Sequence, residues 1–261
     1  LNINNARLKN YNILSSFDNQ MSTKYFILTR PSNSRIDDNT DNQIVHLNPG
    51  ERQVFLLPEV NLDYYWRRGL FECQLIEWSK QFCNSSKIFL DIGAHTGTYA
   101  ISLAPYSKSV MAFEPQRATY YALCGSVAAS GLSDKVVCHQ FGLGAEEQVG
   151  IQALKIVSND GGGSSLAPAE NERVLREEAV EIRTLDSIDI RNVGFIKMDV
   201  ENNELNVLRG ALNTLRESGY PPILFESNGA NPALFGFLRE ALKYKIVTVG
   251  GVSNMFLACM E

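Results

Sequence analysis

Three stretches carry side chains suited to chemistry, and each follows a short apolar run. The first is Asp91-Ile-Gly93-Ala-His-Thr-Gly97, a glycine turn entered through an acid. The second ends in Glu114, with Gln116 just beyond it. The third is Asp199-Val-Glu201-Asn-Asn-Glu204, followed farther on by Glu226-Ser-Asn228. Apolar run, glycine turn, helix-like stretch, second apolar run and acid make the first half of a nucleotide-binding α/β sheet. An acid at the end of the second strand suits a ribose, because one carboxylate accepts hydrogen bonds from both vicinal hydroxyls.

The glycine turn narrows the ligand. A pyrophosphate asks for Gly-x-Gly-x-x-Gly, so that backbone and helix N-terminus can approach it. Here the middle glycine is absent, and Asp91 stands where it would repel a phosphate and favour a cation. S-adenosylmethionine carries a sulfonium and an ammonium and no phosphate. On this reading Asp91, Gly93, Ala94, His95 and Gly97 form the cofactor turn and Glu114 takes the ribose. His95 contributes its backbone more than its ring. His139, inside a predicted strand, reads as a satisfied core histidine.

The elements that must position these groups alternate regularly from residue 87. Strands are predicted over Ile88 to Asp91, Val110 to Glu114, Val136 to Phe141, Phe195 to Val200 and Ile223 to Glu226. Helices are predicted from Thr98, from Gln116 to Gly131, from Glu204 through Leu215, and after the cap Asn231-Pro232. The final strands, Lys245 to Val249 and Met255 to Cys259, leave no room for a helix and predict a hairpin with the last strand antiparallel. Residues 144 to 180 read as irregular, with an edge segment over Glu181 to Leu185. Residues 1 to 70 read as an N-terminal extension on the domain 71 to 261, with short strands at Tyr25-Phe-Ile-Leu-Thr and Ile44-Val-His-Leu. A helix follows from Phe71 to Phe82.

The run Ile196-Lys-Met-Asp-Val-Glu-Asn-Asn-Glu-Leu-Asn-Val-Leu-Arg-Gly-Ala211 closely resembles the FkbM family of methyltransferases. Phe89-Leu-Asp-Ile-Gly-Ala-His-Thr-Gly-Thr-Tyr-Ala-Ile101, Ala112-Phe-Glu-Pro115 and Gly163-Ser-Ser-Leu166 match as well. The resemblance spans roughly residues 87 to 261. It implies an α/β, Rossmann-like class I methyltransferase fold, a seven-stranded doubly wound sheet with an antiparallel last strand. It further implies S-adenosylmethionine as donor and O-methylation of a hydroxyl on a sugar, glycan or other small molecule. The family has glycine after Asp-Val-Glu, where this chain has Asn202. Asparagine tolerates left-handed backbone angles, which would preserve the turn.

An alcohol is a poor nucleophile at neutral pH, so the acceptor needs help losing its proton. Asp199 or Glu201 acts as base or orients the hydroxyl. Alternatively Asp199, Glu226 and Asn228 hold Mg²⁺ or Mn²⁺, which lowers the hydroxyl pKa. Glu204 reads as a helix N-terminal acid. Gly142 lies where the adenine is expected, and Gln116 faces the adenosine. The Asn159 to Ser165 loop, with three glycines, reads as a lid over the acceptor or as a plain surface connection. Tyr64, Tyr65, Trp66 and Arg67 form either an aromatic wall for a sugar or packing between extension and core.

Other classes are weighed against this reading. A nucleobase methyltransferase would show Asp/Asn-Pro-Pro-Tyr/Phe after strand four. An RNA ribose methyltransferase would want a lysine near strand five, where Phe225-Glu-Ser-Asn228 supplies none. A nicotinamide oxidoreductase lacks its middle glycine, and a cofactor-binding module without catalysis is the main non-enzyme rival. The 261 residues carry a net charge of −5, which argues against a surface built for nucleic acid. No run suits a membrane span or a signal peptide. Five cysteines without a Cys-x-x-Cys spacing predict reduced thiols in a cytoplasmic protein, and three histidines leave a zinc site improbable. Composition leaves the oligomeric state open.

Overall fold

The computed structural model describes residues 24–31, 52–167, 173–227, 231–250 and 254–260. The segment Ile44-Val-His-Leu and Asn228 lie outside the described residues. In chain order the elements are β1 (Tyr25–Pro31), β2 (Arg52–Pro58), α1 (Leu62–Arg68), α2 (Cys73–Ser79), β3 (Ile88–Ile92), α3 (Thr98–Leu103), β4 (Ser109–Phe113) and α4 (Arg117–Ala129). Then come β5 (Val136–His139), β6 (Gly142–Leu143), β7 (Gly150–Ile156), β8 (Arg176–Arg183), β9 (Val193–Met198), α5 (Glu204–Arg209), α6 (Leu212–Glu217) and β10 (Ile223–Glu226). Helix α7 (Pro232–Gly236) and strands β11 (Lys245–Thr248) and β12 (Met255–Cys259) complete the chain.

The main sheet has seven strands in the order β11-β12-β10-β9-β3-β4-β5. Strands β5, β4, β3, β9 and β10 run parallel, and β12 lies antiparallel between β10 and β11. This is the doubly wound sheet with an antiparallel last strand that the sequence predicts. Near-continuous apolar runs suit strands buried on both faces. Their alternate residues feed two cores. Phe89, Val110, Phe195 and Leu224 pack with Leu75, Ile76, Ile101 and Leu123 on one side. Leu90, Ile196, Met198 and Phe225 pack with Val207, Leu215, Leu234 and Leu238 on the other.

Four local readings change. Residues 144 to 180 are not wholly irregular: β7 pairs antiparallel with β8, and β6 parallel with β8, in a second, three-stranded sheet. The β7 pattern misleads because Ile151 is exposed while Leu154 and Ile156 turn inward. Strand three stops at His139, where the chain leaves for β6. The helix predicted from Glu204 breaks into α5 and α6 at Gly210, whose ideal Cβ would lie 2.1 Å from the Gly144 carbonyl oxygen. Finally, β1 pairs antiparallel with β2 over Arg52 to Pro58, a strand that the sequence reading did not predict.

The β1–β2 hairpin is fastened to α4 by side chains. The Leu56 N–H donates to Ser126 Oγ at 2.9 Å and the Val54 N–H to Ser130 Oγ at 2.8 Å. Strand β2 thereby finds partners on its outer edge without another strand. No helix among the described residues is long and apolar enough to cross a membrane. All five cysteines are free thiols.

Candidate active site

The glycine turn sits where β3 ends, in the crevice at the carboxyl ends of the central strands. Gly93 has φ +76°, and a Cβ there would fall 1.8 Å from the Asp199 carbonyl oxygen. Only glycine meets both demands. The Gly93 and Ala94 N–H groups both donate to Phe113 O at 3.0 Å, which bends the turn towards the end of β4. Glu114 follows. Its Oε2 accepts the His95 N–H and its Oε1 the Gln116 N–H, each at 2.9 Å. Burial raises the Glu114 carboxyl to about 7 despite those two donors. Each oxygen keeps a further lone pair for a hydroxyl.

Asp91 lies beneath the turn. It is fully buried, and its Oδ2 accepts the Ala100 N–H at 2.8 Å at the start of α3. Its other oxygen, Oδ1, has no hydrogen-bond partner among the described residues, and burial lifts the carboxyl to about 6 against the pull of Lys197. Gly97 also stands off the cavity. Its Cβ would meet Leu123 Cδ1 at 2.7 Å, so the glycine lets α3 close on α4.

A cavity of about 380 Å³ opens over the turn. Gly93, Ala94, His95, Glu114 and Gly142 line it together with Lys197, Asp199 and Glu201. Lys197 is the group that sequence reasoning missed. Its Nζ donates to Gly93 O at 3.0 Å and to Asp199 Oδ2 at 3.2 Å, and stands 5.3 Å from the Tyr99 ring centre. Burial alone would lower its pKa, but Asp199 and Asp91 overcome that and hold it protonated. Lys197 in turn holds Asp199 below the usual carboxylate range, against the effect of burial. Glu226 shares a hydrogen bond with Asp199, and burial with the Asp199 charge raises it to about 8. Glu226 therefore carries the proton between them and donates to the Asp199 carboxylate. Among the described residues, Asp199, Glu201 and Glu226 place carboxylate oxygens within 4.8 Å of one another.

The turn after Asp199 keeps its shape with asparagine. Glu201 has φ +50° and Asn202 φ +73°. The Val200 and Asn202 N–H groups donate to Glu204 Oε1, so Glu204 caps the turn at the head of α5, as its reading as a helix N-terminal acid anticipates.

The far wall comes from two segments. The glycine loop lines the cavity with Asp160, Gly161, Gly162, Gly163 and Ser164. It is bonded all round: His95 Nε2 lies 2.7 Å from Asp160 O, and Asn61 donates to Asp160 Oδ2 at 2.8 Å. Ser164 Oγ donates to Gln116 Oε1 at 2.9 Å and the Gly163 N–H to Glu201 Oε1 at 3.1 Å. Gln116 thus faces the loop and not the cavity. The segment from 61 to 72 adds Asn61, Tyr65, Phe71 and Glu72. Of the predicted aromatic wall, Tyr65 lines the cavity and Tyr64 stacks on Phe71 behind it, while Trp66 is 84% exposed and Arg67 pairs with Asp63. His139 stacks on Phe113 at 4.9 Å, but its buried Nε2 has no hydrogen-bond partner among the described residues, which corrects its reading as a satisfied histidine.

A methyltransferase from Sordaria araneosa, sdnD, is 33% identical over 129 residues, which is 48% of this chain and 48% of that protein. The match thus spans about half the length of that relative. Among solved structures, methyltransferase FkbM from Methylobacillus flagellatus KT aligns with TM-score 0.47 and 19% identity, over 67% of this chain and 44% of that one. Precorrin-6y C5,15-methyltransferase from Geobacter metallireducens GS-15 aligns with TM-score 0.47 and 10% identity, over 75% and 92%. The methyltransferase FkbM domain model matches residues 91–245, more than half of the sequence, and the chain belongs to that family.

Proposed function

We propose that this protein transfers a methyl group from S-adenosylmethionine to a hydroxyl oxygen of a sugar or other small molecule, with Asp199 as the group that orients the hydroxyl and receives its proton. The supporting observation is a single cavity that joins the glycine turn and Glu114 to Lys197 and Asp199. The residues suit this donor. Gly93 leaves bare backbone where a side chain would collide with Asp199, Glu114 offers two oxygens to a ribose, and the acidic lining suits a cationic ligand. Gly142 and Leu143, beside Ile182 and Leu154, give an apolar end for an adenine.

When bound, S-adenosylmethionine supplies an electrophilic methyl group. The protein's own work is then to place the acceptor oxygen in line and remove its proton. Lys197 keeps Asp199 ionised and pins it to the glycine turn, so the base and the donor site move as one. The Asp199 carboxylate would accept the acceptor's proton when the hydroxyl is methylated. Glu201 stands beside that carboxylate as a second acceptor. Residues 1 to 70 act as an extension that builds part of the acceptor wall. Free thiols fit a reducing compartment.

A second reading has a specific observation behind it. The Asp199, Glu201 and Glu226 oxygens could hold Mg²⁺ or Mn²⁺, hard ions that prefer such ligands. The salt bridge from Lys197 competes with that use of Asp199.

Calorimetric titration with S-adenosylmethionine tests the donor, with NAD as the contrasting ligand. Methyl transfer to a sugar panel then separates an enzyme from a binding module. Asp199→Asn is expected to lower kcat about 10²- to 10⁴-fold with donor Kd nearly unchanged. Activity that survives this substitution removes Asp199 from the chemistry. Activity abolished by EDTA and restored by Mn²⁺ would favour the metal reading.

A further inference from the structure

We propose that the acceptor carries a protonated amine beside its hydroxyl, as an amino sugar or amino alcohol does, and that Tyr65, Phe71 and Glu72 select it. This rests on the reading of the cavity as a methyl-transfer site. Five carboxylates line the cavity: Glu72, Glu114, Asp160, Asp199 and Glu201. Among the described residues lining it, Lys197 is the only lysine or arginine. His95 adds no second cation, because burial holds its ring below the ordinary histidine range. Lys197 is engaged with Gly93 O and Asp199. A bound donor contributes a sulfonium, an ammonium and a carboxylate, one net positive charge. Negative charge therefore remains in excess with both in place.

The excess lies on the acceptor side. Glu114 belongs to the donor end. Among the described residues, Asp199 and Glu201 sit with Glu226 in the one carboxylate group that a metal ion could satisfy. Glu72 and Asp160 stand outside that group. Glu72 Oε2 accepts from the Tyr99 hydroxyl at 2.8 Å, and the carboxylate retains acceptor capacity for another donor. Next to it, Phe71 stacks on Tyr64 with ring centres 4.0 Å apart and meets Tyr65 nearly edge-on at 4.9 Å. Aromatic rings beside a carboxylate attract an ammonium through both the ring quadrupole and the ion pair. A phosphate or carboxylate on the acceptor meets repulsion and finds no further cation in the described lining. This wall precedes residue 91, so it belongs to a segment outside the family match.

Ligand-observed NMR on the full chain, saturated with S-adenosylhomocysteine in EDTA buffer, compares glucosamine, glucose and glucose 6-phosphate. Glucosamine is expected to bind about tenfold more tightly than glucose, with glucose 6-phosphate weakest. Glu72→Gln is expected to remove most of that preference and Phe71→Leu to reduce it severalfold. Circular dichroism checks that each variant folds, and Phe71→Leu carries the test if Glu72→Gln does not. No binding of glucosamine, equal affinities, or a preference for glucose or its phosphate overturns the inference. A chain that fails to bind S-adenosylhomocysteine overturns the proposed function instead, so the two failures are distinct.

Discussion

Glu114 shows what a buried carboxylate does to the fold that holds it. Its pKa is about 7 in the folded protein against an ordinary 4.5, with burial as the main cause. A group raised in this way contributes stability that is full below 4.5 and lost as pH rises through about 7. Between pH 4.5 and pH 8, the stability of Glu114→Gln relative to the natural protein should therefore rise by roughly 1–3 kcal/mol. Denaturant titrations at the two pH values measure it, and a difference that stays flat or reverses defeats the argument. Under the proposed function the ionised form is the one that would accept two ribose hydroxyls, so donor affinity should fall as pH drops through about 7.

Much of this was legible residue by residue. Glu114 and Asp199 announce themselves as acids closing apolar runs, and Gly93 as the turn between them. Gly93→Ala, with a positive φ and a carbonyl in the way of its methyl, is expected to abolish donor binding and lower Tm sharply; calorimetry and thermal melts check both. Lys197 carried a readable signal, since strand residues two apart share a face and it stands two before Asp199. The location of Asp91 was less readable. Its type fits a cofactor contact, yet the strand pleat turns it under the turn towards Ala100. Asn202 behaves as its short polar side chain permits and takes the left-handed angle that glycine would.

At the level of elements, the parallel strands and their helices were readable because apolar runs and helical spacing repeat cleanly. The second sheet was not, because β7 exposes Ile151 and carries Gln152 and Lys155 among its apolar residues. Nor was the break at Gly210, where a backbone carbonyl from Gly144, remote in sequence, leaves no room for a side chain. The seat of β2 on α4 is a long-range device of the same kind. Ser126 and Ser130 supply hydroxyls to N–H groups that otherwise have no partner strand. The double substitution Ser126→Ala with Ser130→Ala is expected to cost about 2–4 kcal/mol, because two sheltered donors lose their acceptors. Urea unfolding reads the loss directly, and a cost under half a kcal/mol would show that water replaces the serines.

Across the whole molecule, the matched segment from 91 to 245 supplies the glycine turn, Glu114 and Asp199, while residues 61 to 72 close the opposite side. The glycine loop joins the two halves. Deleting Gly161 and Gly162 is expected to lower turnover while leaving donor affinity within a few-fold, and an unchanged kcat would remove the loop from the reaction. The loop's hydrogen bonds to Asn61, His95, Gln116 and Glu201 have one more consequence. Under the proposed reaction with this loop as a lid, product release would break all four and move a whole loop through solvent. Friction then enters the turnover rate. Sucrose added to the buffer should slow the natural protein in proportion to viscosity and leave the loop-shortened form nearly indifferent.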